Sequence, residues 1–185
     1  MNDRWLDALG ELEGRYPHRL ERPREDNFGI ALLSRFPFDQ METRPLGYDV
    51  EAILARFTLG SLPTAVVLAH PVPPVGGFAA RLRNRQLAAL AALRAEDPAS
   101  EFILLGDLNT SPWSAPYRRL EAAAGLRNAA RGLGWFPSWP AWAPWLRIPI
   151  DHCLLSPGLR ATDFRLGPDT GSDHFPVLVH VAARS

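Results

Sequence analysis

The apolar run Phe102-Ile103-Leu104-Leu105 passes directly into Gly106-Asp107-Leu108-Asn109, which sets a carboxylate and a carboxamide one residue apart at the carboxyl end of a strand. Two later segments, Ile150-Asp151-His152 and Ser172-Asp173-His174, also place acid and imidazole beside strand-like residues. The second half of the chain thus offers three carboxylates, a carboxamide and two histidines. Such an inventory suits divalent-metal hydrolysis of a phosphate ester. Carboxylate and amide oxygens hold a hard cation, and an imidazole can serve the transferring phosphoryl group.

The periodicities alternate between helix and strand. Asp3 to Arg15 reads as a helix, with Trp5, Leu6, Leu9 and Leu12 at helical spacing and Tyr16-Pro17 ending it. Strands follow at Gly29 to Ser34, Val50 to Leu59 and Thr64 to Ala69, the last two joined by Gly60-Ser61-Leu62-Pro63, which is short enough for a hairpin. Phe78 to Ala95 is a helix whose apolar face is Leu82, Leu87, Leu90 and Leu93. Glu101 to Gly106 is a strand and Ala115 to Ala124 a helix; Ile150 to Ser156, Ala161 to Leu166 and Val177 to Val181 complete the strands. This pattern predicts α/β layers with antiparallel pairing.

Composition bounds the function. With 185 residues and 46% hydrophobic content, the chain can bury a core as one domain, 1–185. No apolar stretch approaches the roughly 20 residues of a membrane span, so the chain as given reads as soluble and cytoplasmic. Cys153 is alone, which excludes an intrachain disulfide and fits a structural thiol. Twenty basic residues, all arginine, balance twenty acidic ones, and a neutral chain exerts no bulk attraction on a long polyanion. Arg81, Arg83 and Arg85, and likewise Arg118 and Arg119, are either local basic patches or solvated helix faces.

The segment Trp135-Phe136-Pro137-Ser138-Trp139-Pro140-Ala141-Trp142-Ala143-Pro144-Trp145 is too rich in proline for a helix or central strand. It reads as an extended loop near Asp151, with most of its indoles packed on the domain and one or two left for a ligand or a lipid surface. Trp139 and Trp142 are its candidate substrate contacts. His152 alternates away from Asp151 along a strand and is expected on the opposite face.

Five motifs in order, Gly29 to Arg35, Ala69-His70-Pro71, Gly106 to Pro112, Ile150 to Ser156 and Ser172 to Val177, resemble the endonuclease/exonuclease/phosphatase superfamily. The resemblance implies a four-layer α/β sandwich of two mixed, largely antiparallel sheets flanked by helices, with the site at one edge. It also implies roles. Asp107 orients the nucleophilic water, Asn109 donates to a phosphate oxygen, and Asp151 fixes the tautomer of His174, which acts on the phosphate or the water. His70 contacts the scissile phosphate, and Asp173, with Asp107 and Asn109, holds Mg2+ or Mn2+. The substrate is then a phosphate ester, with nucleic acid among the candidates.

In that family an asparagine and then a glutamate, the principal metal ligand, stand on strands before the first helix. This chain opens where that helix should start, and Glu11, Glu13 and Glu21 fall on or after the helix instead. The expectation is therefore an amino-terminally truncated sandwich with weak magnesium affinity and uncovered sheet that favours self-association. The alternative is a noncatalytic remnant of the same fold serving as a binding module.

Overall fold

A computed structural model describes residues 9–98 and 100–184. The strands are β1 (His18–Arg22), β2 (Ile30–Ser34), β3 (Gln40–Gly47), β4 (Val50–Leu59), β5 (Leu62–Leu68), β6 (Glu101–Asp107), β7 (Arg127–Asn128), β8 (Asp151–Leu155), β9 (Leu159–Leu166) and β10 (Val177–Ala183). Two helices interrupt them, α1 (Gly76–Glu96) and α2 (Ala115–Ala124), and a 3-10 turn spans Pro144–Leu146.

Six strands form the main sheet in the order β3-β4-β5-β6-β8-β7, while β1-β2 and β9-β10 are two-stranded antiparallel ladders. Only β5 and β6 run parallel within the main sheet, because α1 carries the chain back between them. This is the mixed, largely antiparallel α/β sandwich that the motifs imply.

Period-two alternation decides which layer covers which face. Ala52, Leu54, Val67, Phe102, Leu104 and Leu154 point to one side, where Leu87, Leu90 and Leu93 of α1 and Tyr117 and Leu120 of α2 close over them. Val66, Ile103, Cys153 and Leu155 point to the other, against Phe164 of β9 and Val177, Val179 and Val181 of β10. Each such Leu or Phe withdrawn from water contributes about 1.5–3 kcal/mol. Cys153 lies in this second core, and burial pushes its thiol up to about 12, which suits a structural role.

β4 and α2 have the bounds that the sequence predicts, and Leu59 pairs with Leu62 across a Gly60-Ser61 turn. Three strands were not expected. β3 carries Glu42, Arg44 and Pro45 and so lacks an apolar alternation, which it can do as an edge strand paired to β4 alone. β1 is polar throughout except for Leu20, and β7 has only two residues. Of the predicted helix Asp3 to Arg15, residues 3–8 lie outside the described residues; Leu9 and Gly10 are helical and hydrogen-bonded turns run on to Arg15.

Among the described residues, no helix is long and apolar enough to cross a membrane.

Candidate active site

Sheet direction brings the motifs together. β5 and β6 are parallel, so their carboxyl ends, with His70 and Asp107, lie side by side. β8 is antiparallel to β6 and sets Asp151 in register with Asp107. The loop before β10 then brings His174 over this edge, where His174 Nδ1 meets Asp151 Oδ2 at 2.7 Å.

Two local features allow this approach. Gly106 has φ +141°, and a Cβ there would stand 1.9 Å from the carbonyl oxygen of Ala69, so β6 can pass the end of β5 only without a side chain. Asn109 adopts the left-handed conformation, φ 49°, which asparagine tolerates. Its backbone N–H donates to Asp107 Oδ1 at 2.8 Å and closes a tight turn.

Asp107 sits between two imidazoles, with Oδ2 3.6 Å from His70 Nε2 and 3.9 Å from His174 Nε2. Burial, together with the charges of Asp151 and Asp173, pushes its carboxyl up to about 7 against the opposing hydrogen bond from Asn109. Burial lowers His70, and the charge of His174 adds to that. Burial works against protonated His174 as well, but the hydrogen bond and charge of Asp151, with Asp107 and Asp173, outweigh it and raise its pKa.

A cleft of about 960 Å³ opens over these groups and is lined by His70, Asp107, Asn109, Trp139, Asp173 and His174. Asp151 lies behind His174, where the hydroxyl of Ser138 also donates to its Oδ2 at 2.6 Å. Ser138 is fully buried and was not legible as a site residue, since nothing in a Trp/Pro segment marks one serine as a carboxylate partner. Asn27, Phe28 and Gly29 form a further wall, with the Phe28 ring 5.5 Å from that of His70.

Several expectations need adjustment. Asn109 Nδ2 donates to Pro71 O at 3.0 Å and to Asp107 Oδ2 at 3.2 Å, so donation to a phosphate requires one of these bonds to open. Asp173 is exposed and turned toward Trp139, whose Nε1–H donates to Oδ2 at 3.3 Å. Trp139 lines the cleft but Trp142 does not, its side chain being largely exposed.

Trp135, Trp142 and Trp145 are 55%, 72% and 80% exposed, which overturns the expectation that most of the indoles pack. The loop is held instead through its backbone and small residues. Trp139 and Ile148 exchange hydrogen bonds, Ala141 N donates to Asp173 O, Phe175 N donates to Ser138 O, and Ala141 and Ala143 are buried. Arg147 caps the arrangement, its guanidinium 4.5 Å above the Phe175 ring.

His152 faces away from the cleft as expected. Its buried Nε2–H donates to Thr110 O at 2.8 Å, and burial lowers its pKa to about 4. Glu13 and Glu21 interact with Arg19, and neither they nor Glu11 line the cleft.

A hard divalent cation fits this donor set. Asp107, Asp151 and His174 offer ligand atoms all within 4.8 Å of one another, and the mutual repulsion of the carboxylates around Asp107 is what a cation would relieve. This trio differs from the expected Asp107, Asn109 and Asp173: Asp151 stands in register with Asp107, whereas Asp173 is turned toward Trp139.

These features together define a phosphoesterase-type α/β sandwich. The model of the Endonuclease/Exonuclease/phosphatase family matches residues 1–174, and the chain belongs to this family, whose members are metal-dependent phosphoesterases. No curated protein matches it in sequence. Among solved structures it is similar to D. rerio TDP2 complexed with a single-strand DNA product, with 17% identity, TM-score 0.79, and coverage of 99% of this chain and 83% of that one. Sphingomyelinase C from Streptomyces griseocarneus aligns with 19% identity, TM-score 0.69, and coverage of 99% and 83%. A functionally unknown conserved protein from Enterococcus faecalis V583 aligns with 17% identity, TM-score 0.74, and coverage of 90% and 77%. At these identities the likeness is one of fold.

Proposed function

We propose that the chain hydrolyses a phosphodiester by activated water at the Asp107–His174 cleft. The observation that carries this reading is the 2.7 Å Asp151–His174 bond beside the Asp107 carboxyl, whose Oδ2 lies 3.9 Å from His174 Nε2. With Nδ1–H donated to Asp151, His174 keeps Nε2 for the substrate. Protonated, it donates to a nonbridging oxygen. Asp107, set between His70 Nε2 at 3.6 Å and His174 Nε2 at 3.9 Å, orients the attacking water and takes up its proton. His70 approaches the phosphate from the opposite wall, and its lowered pKa lets it act as a neutral hydrogen-bond partner.

Asp107 and Asp151, two of the three groups whose ligand atoms lie within 4.8 Å of one another, would hold Mg2+ or Mn2+ and leave His174 Nε2 to the substrate. When bound, the cation supplies neutralisation of phosphate charge. The test is hydrolysis of bis(p-nitrophenyl) phosphate with either cation. Cation-dependent release that a chelator abolishes is the expected result; release unaffected by chelator, or none at millimolar cation, contradicts the reading.

Nucleic acid is one candidate substrate, in keeping with the DNA product named for the TDP2 complex. A lipid-surface substrate is the second, favoured by the outward indoles of Trp142 and Trp145 beside Leu146, itself 58% exposed. Cosedimentation with anionic vesicles separates the two.

A further inference from the structure

Helix α1 places one guanidinium where an uncompensated charge is costly. Arg83 is 7% exposed and lines the cleft, yet among the described residues no carboxylate lies within 4 Å of it. Its Nε donates to Asn84 Oδ1 at 2.9 Å and its Nη1 to Asn109 O, both neutral acceptors. The more exposed arginines Arg24, Arg44 and Arg56 all have carboxylate partners. A buried charge without a counter-ion costs several kcal/mol by the general rule, and the cleft is the side from which one can come.

The neighbouring wall has the complementary character. Thr110, Ser111 and Ser114 line the same cleft, and Ser114 caps α2, accepting from Tyr117 N at 3.3 Å. The first turn of α2 has no acidic residue, so the partial positive charge of its amino end is unopposed there. Guanidinium and turn line the same cleft, linked through Asn109, whose carbonyl Arg83 holds, while the Thr110 and Ser114 hydroxyls share a hydrogen bond at 2.5 Å.

We infer that Arg83, the Thr110–Ser114 turn and the amino end of α2 form a second anion subsite, which binds a phosphate group adjacent to the one cleaved. The inference rests on the phosphoesterase reading above and narrows it. The substrate is a phosphodiester that carries an additional phosphate, as an oligonucleotide or a diphosphate ester does. Arg83 thereby binds the neighbouring phosphate while its Nη1 holds the Asn109 backbone.

The test begins with 15N-labelled wild-type chain titrated with inorganic phosphate in the absence of divalent cation. The Arg83 Nε–H resonance and the amides of Ser111 and Ser114 should shift and saturate in the millimolar range, and Arg83→Gln should bind at least tenfold more weakly. Shifts confined to His70 and His174 would overturn the subsite. The second arm compares thymidine 5′-(p-nitrophenyl phosphate) with its 3′-phosphorylated counterpart. Wild type should favour the latter by tenfold or more in kcat/KM, and Arg83→Gln should erase that ratio, which cancels any general effect on Asn109. Equal kcat/KM for the two in wild type, or an unchanged ratio in the variant, contradicts the proposal. Competition by thymidine 3′,5′-bisphosphate against competition by inorganic pyrophosphate tells the nucleotide source from the diphosphate source. If hydrolysis fails altogether, the phosphate titration still decides the subsite.

Discussion

Asp151 Oδ2 accepts from two donors at once, the His174 ring at 2.7 Å and the Ser138 hydroxyl at 2.6 Å. Ser138 is fully buried, so the carboxylate that orients the imidazole is itself held by a side chain out of reach of solvent. The order of importance follows. Asp151→Asn should cost 10²–10⁴-fold in kcat, roughly the loss seen when an orienting carboxylate is neutralised. Ser138→Ala should cost about 5–30-fold, since it removes one hydrogen bond worth ~1–2 kcal/mol. Steady-state rates on bis(p-nitrophenyl) phosphate check both, and equal losses would refute the ranking.

Gly106→Ala should destabilise the protein by more than about 2 kcal/mol, because the added Cβ would fall 1.9 Å from the Ala69 carbonyl oxygen at a φ that L residues rarely adopt. Urea unfolding measures this. A variant as stable as wild type would mean that β5 and β6 do not meet this closely.

Much of this edge was legible in the sequence, for a definite reason. The apolar runs that end at His70 and Asp107, and the one that starts from Asp151, are buried on both faces, so periodicity and motif coincide there. Ser138 and Arg83 were not legible. The bond of Ser138 to Asp151 crosses 13 residues, and that of Arg83 to Asn109 crosses 26; neither leaves a local signal. Arg83 was one of three alternating arginines, and only the packing of α1 shows it buried while Arg81 and Arg85 are exposed. The outward turn of Trp135, Trp142 and Trp145 was missed likewise, because backbone pairing with Asp173 and Phe175 anchors the loop without them.

His152 makes stability depend on pH. Its folded pKa, about 4, lies below the unfolded value of about 6.5, so the unfolded chain takes up the proton first. The contribution is complete above about pH 6.5 and is lost as pH falls from there toward 4. The loss is of order 3 kcal/mol at most. His152→Gln, which can still donate to Thr110 O, should lose less stability than wild type between pH 7.5 and pH 4.5. Parallel losses in chemical denaturation at the two pH values would contradict this.

Trp142→Ala and Trp145→Ala should shift Tm by no more than about 2 °C, since neither ring is buried. If the loop meets lipid, each should weaken cosedimentation with anionic vesicles. Unchanged vesicle binding would remove the lipid-surface reading, and a large fall in Tm would show that the rings pack after all.

The central claim is that Asp107 and His174, whose Oδ2 and Nε2 lie 3.9 Å apart, act on the reaction as one unit. The most direct measurement is the single-turnover rate of phosphodiester hydrolysis at saturating Mn2+ for wild type, Asp107→Asn, His174→Asn and the double variant. Each single substitution should lower the rate by about 10³-fold or more, with the double variant within about tenfold of the slower single one, as residues of a shared step behave. Losses that multiply in the double variant, or single variants as fast as wild type, would contradict the account.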